Sequence, residues 1–261
     1  MTEKPTVTWS AADGVATITL DNPPLNTFGK EAMYELRTCL EEVAADEAVR
    51  AVIIVGTGDR FFSAGQDVSV LPEATEPGKG RALAQMSEDL LQRLDEMSKP
   101  TICALNGTAL GVGCLMAIAC DIRIAARNAK LGVPESKLGV FPGGGGTQRL
   151  PRVIGEARAL EMLYTGNSID ADEAYRIGLV SHLVPIGEAL SAAQELAIQI
   201  ARQSVVVTRS IKEAVHAARD NTSSEGAALE VDMIERVFGS HDAQEGLRAF
   251  LEKRKPQFQH R

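Results

Sequence analysis

Two glycine-containing turns and one glutamate are the candidate catalytic features of this sequence. The first turn, SAGQD at residues 63–67, follows a buried strand-like run, and the second, GVG at residues 111–113, opens a helix-like segment. Glycine permits a positive φ and close approach of a ligand to the backbone, and the first N–H groups of a helix have no partner inside it. If the turns face each other, two N–H groups point at one developing negative charge. Taken singly, each turn is more simply explained as a change of chain direction.

The glutamate, Glu135, lies in the apolar segment LGVPE at residues 131–135, just before a turn at residues 138–142. Apolar neighbours disfavour the charged form of a carboxyl group and raise its pKa towards the range useful for proton transfer. A solvent-facing or salt-bridged glutamate is the alternative that spacing alone leaves open. We therefore treat Glu135 as a candidate general base.

Other kinds of catalytic or nucleotide site do not fit the sequence. The two Gly-Lys steps precede Glu31 and Gly80 instead of the Ser or Thr that a nucleoside-triphosphate loop needs. The glycine run at residues 143–146 lies in the middle of the chain, not after the first strand of a dinucleotide-binding unit. There is no Gly-x-Ser-x-Gly elbow, and the histidines have no metal-ligand spacing. We expect no bound metal.

Composition and charge exclude further classes. The chain has 261 residues, a net charge of −8 and 4% aromatic residues, which disfavours binding of nucleic acid through phosphate contacts or base stacking. No stretch approaches the ~18 apolar residues of a membrane span, so we expect no membrane segment. The four cysteines form no Cys-x-x-Cys pair and are interpreted as buried thiols in a reducing, cytoplasmic location.

The elements that must position these residues follow an α/β pattern. Residues 6–20 predict a hairpin around an Asp-Gly turn, residues 29–45 and 81–97 predict helices, and residues 72–80 predict an exposed loop. Apolar runs predict strands at residues 51–55, 101–105 and 121–126. The last part is wholly helical, with helices predicted at residues 188–202, 206–218, 224–238 and 241–254. We expect an α/β core over residues 1–200, followed by a helical region over residues 201–261.

Taken together, several segments resemble the crotonase (enoyl-CoA hydratase/isomerase) family in their order and spacing. The matching segments are DNPPLN at 21–26, FFSAGQD at 61–67, KP at 99–100, NG at 106–107, GVGC at 111–114, CDIR at 120–123, PE at 134–135, GGTQRL at 145–150, residues 161–178 and FLEKRKP at 250–256. They extend over essentially the whole chain. The resemblance implies a spiral of ββα units, a C-terminal helical region that builds a homotrimer or a dimer of trimers, and a coenzyme A thioester as ligand.

The resemblance also implies roles for particular residues. The backbone N–H groups of Gln66 and Val112 are expected to form an oxyanion hole for the thioester oxygen. Coenzyme A, which enters as part of the substrate with no permanently bound cofactor, is expected to lie with its adenine near Ala64 and its phosphates near Lys253. A basic run at residues 253–255 of an acidic protein fits an anionic ligand. A solvated helix end explains this run equally well.

Two departures from the family pattern affect the expected reaction. Members that hydrate a double bond generally carry two glutamates; Glu135 matches one, but Leu115 stands where the other is expected, and leucine cannot orient or deprotonate water. Val112 stands where glycine is commoner, and its β-branched side chain narrows the pocket mouth. One base without a fixed water suits a proton shuttle, so the leading hypothesis is an enoyl-CoA double-bond isomerase.

The alternatives concern the reaction and the substrate. One is an enoyl-CoA hydratase that takes its second carboxylate, Glu73 or Glu76, from the 72–80 loop. Another, of a different class, is a non-catalytic scaffold or RNA-binding relative. Thioester hydrolysis, dehydration and decarboxylation are also open. The acyl chain length is not determined, and the expected pocket walls are Phe61, Leu71, Leu115, Met116 and Phe141.

Overall fold

The computed structural model describes residues 5–261, and its α/β part contains ten strands. The strands are β1 (Val7–Ala12), β2 (Val15–Leu20), β3 (Ala51–Gly56), β4 (Phe61–Ser63), β5 (Thr101–Leu105), β6 (Thr108–Leu110), β7 (Ile122–Ala126), β8 (Lys130–Gly132), β9 (Ile169–Asp170) and β10 (His182–Val184).

Eleven α-helices are found in the same described range. They are α1 (Lys30–Ala45), α2 (Leu71–Ala74), α3 (Lys79–Asp95), α4 (Val112–Ala119), α5 (Gly146–Ile154), α6 (Glu156–Thr165), α7 (Ala171–Arg176), α8 (Ala189–Ala201), α9 (Val205–Ala217), α10 (Ser223–Phe238) and α11 (His241–Leu251). Short 3₁₀ turns occur at Val68–Val70 and Pro134–Leu138.

Two sheets build the α/β part of the molecule. One has six strands in the order β1-β2-β3-β5-β7-β10, and the other has four in the order β4-β6-β8-β9. The hairpin β1–β2 and the pair β8–β9 are antiparallel, and the other neighbours are parallel. Consecutive strands alternate between the two sheets in three pairs, β3–β4, β5–β6 and β7–β8. In each pair the first strand belongs to the six-stranded sheet and the second to the four-stranded sheet, and a helical segment follows. The chain thus winds as a spiral of ββα units, as the resemblance implied.

The central strands of the six-stranded sheet are buried on both faces. All six residues of β3 are buried, which explains why its sequence is an unbroken apolar run instead of an alternating one. Val52 and Ile54 belong to a core with residues of α1, α3 and α4. Ile53 belongs to a second core on the other face, with Ala193 and Ala197 of α8. The small side chains of α8 allow that helix to lie close against the strands.

Most predicted elements are confirmed, with shifts of a few residues at their ends. The hairpin, the three strands that apolar runs predicted and the four C-terminal helices are all present. The prediction that residues 72–80 form a loop throughout is wrong. The helical turn α2 occupies the start of this segment, and α3 already begins at Lys79. Pro72 lies in the first turn of α2, where a missing N–H costs no helical hydrogen bond. No helix among residues 5–261 is long and apolar enough to cross a membrane.

The contact between α4 and β4 leads to a prediction about Gly113. A Cβ at Gly113 would lie 2.6 Å from the backbone oxygen of Ser63, so Gly113→Ala must push the helix away from the strand. We expect a loss of about 1–3 kcal/mol in the free energy of unfolding, measured by urea denaturation. Gly226→Ala in α10 is the matched control, because its added Cβ meets nothing within 4 Å and alanine favours the helix by about 1 kcal/mol. Equal effects of the two substitutions would contradict this packing.

Candidate active site

Three neighbouring parallel strands of the four-stranded sheet end at the candidate site. β6 lies between β4 and β8 and is parallel to both. The carboxyl ends of parallel strands lie at the same edge of a sheet, so the residues that follow them are neighbours. Gln66 follows β4, Val112 follows β6 and Glu135 follows β8. The topology thus brings together the three residues predicted to act on the thioester.

The backbone N–H groups of Gln66 and Val112 are available as donors. The carbonyl of Gly65 and the N–H of Asp67 pair with Phe28 at 2.9 and 3.0 Å, whereas the N–H of Gln66 has no acceptor among residues 5–261. Val112 is the first residue of α4, so its N–H has no carbonyl partner inside the helix. A Cβ added at Gly65 would lie 3.2 Å from the nitrogen of Val112. The two glycine turns are therefore in close contact.

Gly111 brings the carboxylate of Glu135 to the same place. Its φ is +50°, and a Cβ there would lie 2.8 Å from Oε1 of Glu135. Its N–H donates to the carbonyl of Gly132 at 3.0 Å, which ties the start of α4 to the end of β8. Pro134 then begins the 3₁₀ turn that carries Glu135. Glycine is required at position 111 both by the backbone conformation and by the carboxylate beside it.

The carboxylate of Glu135 is poorly solvated. Its Oε2 atom is buried and has no hydrogen-bond partner among the described residues. Burial raises the pKa of Glu135 above its ordinary value of 4.5, and its own backbone N–H offsets part of the rise. A carboxylate in this state binds a proton more readily than a solvated one, which suits a general base. The apolar setting expected from the sequence is therefore present.

Leu115 fills the space one helical turn beyond Gly111. The residue is 2% exposed, and a Cβ added at Gly146 would lie 2.8 Å from its Cδ2 atom. Its Cδ1 atom lies 3.5 Å from the Cβ position of Gly144. Leu115 thus packs against the glycine run and has no group that binds water. Met116, the next residue, is fully buried.

The acidic residues of the 72–80 segment form ion pairs with lysines at the protein surface. Glu73 accepts from Nζ of Lys30 in α1 at 3.4 Å, and Glu76 pairs with Nζ of Lys79 at 2.8 Å. More than half of each of these side chains is exposed. Neither carboxylate therefore shares the enclosed environment of Glu135.

The remaining predicted acyl-pocket residues lie in different environments. Leu71 is the half-buried first residue of α2, and Phe61 is a half-buried residue of β4. Phe141 is 76% exposed and lines a groove of about 870 Å³ together with Tyr164 of α6. Residues 61, 71, 115 and 116 do not line this groove.

The two residues predicted to bind coenzyme A belong to distant segments of the chain. Ala64 follows β4, is half-buried and donates its N–H to the carbonyl of Leu25 at 2.9 Å. Lys253 follows α11, is exposed and has a φ of +55°. Next to it, Arg254 is held by Glu245 and Glu252, whereas Lys253 has no ion pair within residues 5–261.

A cavity that the sequence did not predict lies between α1, α2 and α3. Its volume is about 600 Å³. Its lining includes Lys30, two residues after the Phe28 that pairs with the Gln66 segment. The large apolar residues of its lining are Met33, Val70, Leu83, Met86 and Leu90. No local pattern could reveal it, because its walls come from helices far apart in the sequence.

Comparison with known proteins decides the family. A model of the family described as enoyl-CoA hydratase/isomerase matches residues 10–261. The chain belongs to this family. The resemblance inferred from the sequence motifs is thereby confirmed, and the protein is an enzyme of the crotonase type. The structure agrees: a crystal structure of an enoyl-CoA hydratase from Bacillus anthracis superimposes with a TM-score of 0.93 at 35% identity, over 98% of this chain and 100% of that one.

Relatives of known sequence differ in the reaction that their names state. A probable enoyl-CoA hydratase of Bacillus subtilis is 42% identical over 249 residues, covering 94% of this chain and 95% of the relative. A 1,2-epoxyphenylacetyl-CoA isomerase of Escherichia coli K12 is 40% identical over 249 residues, with the same coverage. Similarity alone therefore does not distinguish hydration from isomerisation.

The raised pKa of Glu135 predicts a particular pH dependence of stability. A carboxyl group whose pKa is higher in the folded state contributes stability below its unfolded pKa, and this contribution is lost as the pH rises through the folded pKa. We expect Glu135→Gln to gain stability relative to wild type as the pH is raised from about 5 to about 8. Urea denaturation at several pH values measures this difference.

The exposed Glu195 of α8 supplies the control. Glu195→Gln should differ from wild type by a nearly constant amount over the same pH range. If the stability of Glu135→Gln relative to wild type stays constant or falls as the pH rises, the Glu135 carboxylate is well solvated.

Proposed function

We propose that this enzyme shifts the double bond of an enoyl-CoA thioester by means of a single base. Glu135 removes a proton from C2 of a 3-enoyl thioester. The C–H electrons form a C1–C2 double bond while the carbonyl π electrons move onto oxygen, which gives a dienolate conjugated with the C3–C4 double bond. The same carboxyl group returns the proton to C4, which leaves the conjugated 2-enoyl product. The N–H groups of Gln66 and Val112 hold the negative oxygen of the intermediate.

The observation that carries this proposal is the meeting of one base and two donors at Gly111. The carboxylate of Glu135 lies against Gly111, and the N–H of Val112 is the next group along the backbone. Two fixed donors stabilise an enolate more than the neutral thioester, and one such donor is typically worth about 3 kcal/mol. The raised pKa of Glu135 favours both the uptake and the return of a proton.

The surroundings of Glu135 favour isomerisation over hydration. A hydratase must hold a water molecule between two polar groups, but Leu115 presents only methyl groups to the glycine run. The second carboxylate of the hydratase alternative would have to come from Glu73 or Glu76, and both are paired with lysines on exposed surfaces. The name of the E. coli relative shows that a chain 40% identical to this one is an isomerase of an acyl-CoA.

Hydration remains the second candidate, since the relative from B. subtilis carries the name of a probable enoyl-CoA hydratase. A non-catalytic scaffold is less consistent with the site. A buried carboxylate oxygen and a backbone N–H that both lack a partner among residues 5–261 destabilise the resting protein. A purely structural role gives no reason to retain them.

Coenzyme A is proposed to enter as part of the substrate, with Ala64 near its adenine and Lys253 near its phosphates. The unpaired, exposed ammonium group of Lys253 suits such an anion. The acyl group then extends from the oxyanion hole past Gln66 towards the cavity between α1 and α3, whose methionine and leucine side chains can adapt to a flexible chain.

The assembly is proposed to be a homotrimer or a dimer of trimers, in the cytoplasm. Exposed large apolar side chains on α10 and α11 support association: these are Val231, Ile234, Phe238, Leu247 and Phe250. Ile234 and Phe238 also line a groove between α9 and α10, and exposed apolar patches mark interaction sites. The cytoplasmic location is supported by the four cysteines, all of which are free and buried.

The central test of the reaction uses 3-hexenoyl-CoA. Wild type is expected to convert it to 2-hexenoyl-CoA, followed by the ultraviolet absorbance of the conjugated product, and Glu135→Gln should lower kcat by about 10²–10⁴-fold because it removes the base. The double variant Glu73→Gln/Glu76→Gln is expected to keep the wild-type rate. Rapid hydration of crotonyl-CoA by wild type, lost in this double variant, would establish the hydratase alternative instead.

Lys253 is tested by comparing two substrates that differ only in the nucleotide. Lys253→Ala should raise KM for 3-hexenoyl-CoA about tenfold with little change in kcat, because the ion pair with phosphate binds ground state and transition state alike. With 3-hexenoyl-pantetheine, which lacks the nucleotide phosphates, the variant and wild type should have the same KM. An equal effect on both substrates would mean that Lys253 acts on the fold and not on the phosphates. Lys255→Ala serves as the neighbouring basic control.

A further inference from the structure

The segment that follows α11 runs back along this helix and is bound to it by two carboxylates. We call residues 255–261 the strap. Glu245 of α11 accepts from one backbone N–H group of the strap at 2.8 Å. Asp242 of α11, which is 1% exposed, accepts from the N–H groups of Gln259 and His260 at 2.7 and 2.9 Å. The strap is thus held by backbone hydrogen bonds to charged acceptors.

The imidazole of His260 joins the strap to the six-stranded sheet. Nη1 of Arg50, the residue directly before β3, lies 2.8 Å from Nε2 of His260. A guanidinium group has only N–H donors and keeps its charge at any pH at which proteins are folded. Nε2 must therefore be the acceptor, so the ring is neutral and carries its proton on Nδ1. This contact exists only with the neutral form of His260.

Protonation of His260 would turn the contact with Arg50 into a repulsion. Nε2 would then carry a proton that faces the N–H of Arg50, and two cations would lie at hydrogen-bond distance. Arg50 has no ion pair within residues 5–261 that could offset the added charge. In agreement with this geometry, burial lowers the pKa of His260 below its ordinary value of 6.5, Arg50 lowers it further, and Asp242 opposes the change.

The carboxylates that hold the strap keep their charge over the pH range in which a histidine titrates. Hydrogen bonds from Arg254 and the strap lower the pKa of Glu245 to about 2. Burial acts to raise the pKa of Asp242, but its hydrogen bonds outweigh this effect and leave the pKa below 3.8. Both groups are therefore ionised from about pH 5 to about pH 8. They bind the strap equally well throughout this range.

Other charged groups near the contact do not reproduce the effect of His260. The hairpin turn, whose Gly14 accepts from the backbone N–H of Arg50 at 2.7 Å, carries the exposed Asp13. This carboxylate and the exposed Arg261 of the strap also keep their charges near neutral pH. Asp46 and Glu47, in the connection before β3, act on Lys99 instead.

His241 is the second histidine beside the strap. Its Nδ1 atom lies 3.6 Å from Oδ1 of Asp242, and 43% of its side chain is exposed. Protonation of His241 adds an attraction to a carboxylate, whereas protonation of His260 adds a repulsion from a guanidinium. The two histidines therefore respond to acid in opposite directions.

We propose that His260 makes the strap an acid-sensitive latch, docked on the sheet while the imidazole is neutral and released when it is protonated. The released segment binds a proton near pH 6.5, and the docked segment binds it only at lower pH. Docking is therefore strongest above about pH 7 and weakens as the pH falls through about 6.5 towards the lower pKa of the docked form. The latch involves neither Glu135 nor a thioester, so it is independent of the proposed reaction.

Hydrogen–deuterium exchange of the full chain, followed by mass spectrometry of the peptide 252–261, measures docking through the bonded N–H groups of the strap. After correction for the intrinsic pH dependence of exchange, the protection of wild type should fall about tenfold from about pH 7.5 to about pH 5.5. His260→Gln supplies an oxygen that accepts from Arg50 and does not titrate, so this variant should keep its protection. His241→Gln is the matched control and should respond to acid as wild type does.

Arg50→Gln provides a second test that does not alter the strap. Its neutral amide oxygen can accept from a protonated His260, so acid should no longer release the strap, even if the glutamine at position 260 fails to dock. The latch is wrong if wild type is equally protected at both pH values, or if His260→Gln and Arg50→Gln lose protection on acidification as wild type does. Loss of the acid response in His241→Gln would also overturn it, because His241 would then be the titrating group.

Discussion

Parallel pairing of β4, β6 and β8 is the constraint on which the site depends. These strands have three residues each, yet their order brings the chain segments that begin at residues 64, 111 and 133 to one edge of a sheet. Neighbouring strands are about 4.8 Å apart, so little room is left between the segments that follow them. Gly65 and Gly111 meet this limit, because a Cβ at either position would collide with Leu110 or Glu135. The glycines that mark the site in the sequence are therefore consequences of how closely these strands approach.

The same close packing explains the electrostatic state of the site. Glu135 is carried on a 3₁₀ turn against Gly111, away from the lysines and arginines that pair with other carboxylates of the chain. Its burial without a donor on Oε2 raises its pKa. In the proposed complex, the two backbone N–H groups nearby bind the negative oxygen of an enolate more strongly than the oxygen of a neutral thioester. The arrangement destabilises the resting carboxylate and favours the charge distribution of an enolate intermediate.

Residues whose roles follow from the backbone could be predicted from the sequence. The glycines at 65 and 111 and the apolar run of β3 each indicated local geometry that the structure contains. The second sheet could not be predicted, because three-residue strands such as β6 are too short to show a period. The directions of Glu73 and Glu76 also depend on α1 and α3, which lie elsewhere in the chain. The contact between Arg50 and His260 joins residues 210 positions apart and has no sequence signal at all.

The central claim is that one thioester oxygen is bound by both strand-end N–H groups, with its C2 carbon beside Glu135. A crystal structure of the complex with a saturated acyl-CoA such as hexanoyl-CoA tests this claim. We expect its carbonyl oxygen about 2.7–3.1 Å from the nitrogens of both Gln66 and Val112, with Oε2 of Glu135 facing C2. A carbonyl oxygen bound by only one of these nitrogens, or a C2 carbon facing away from Glu135, would contradict it.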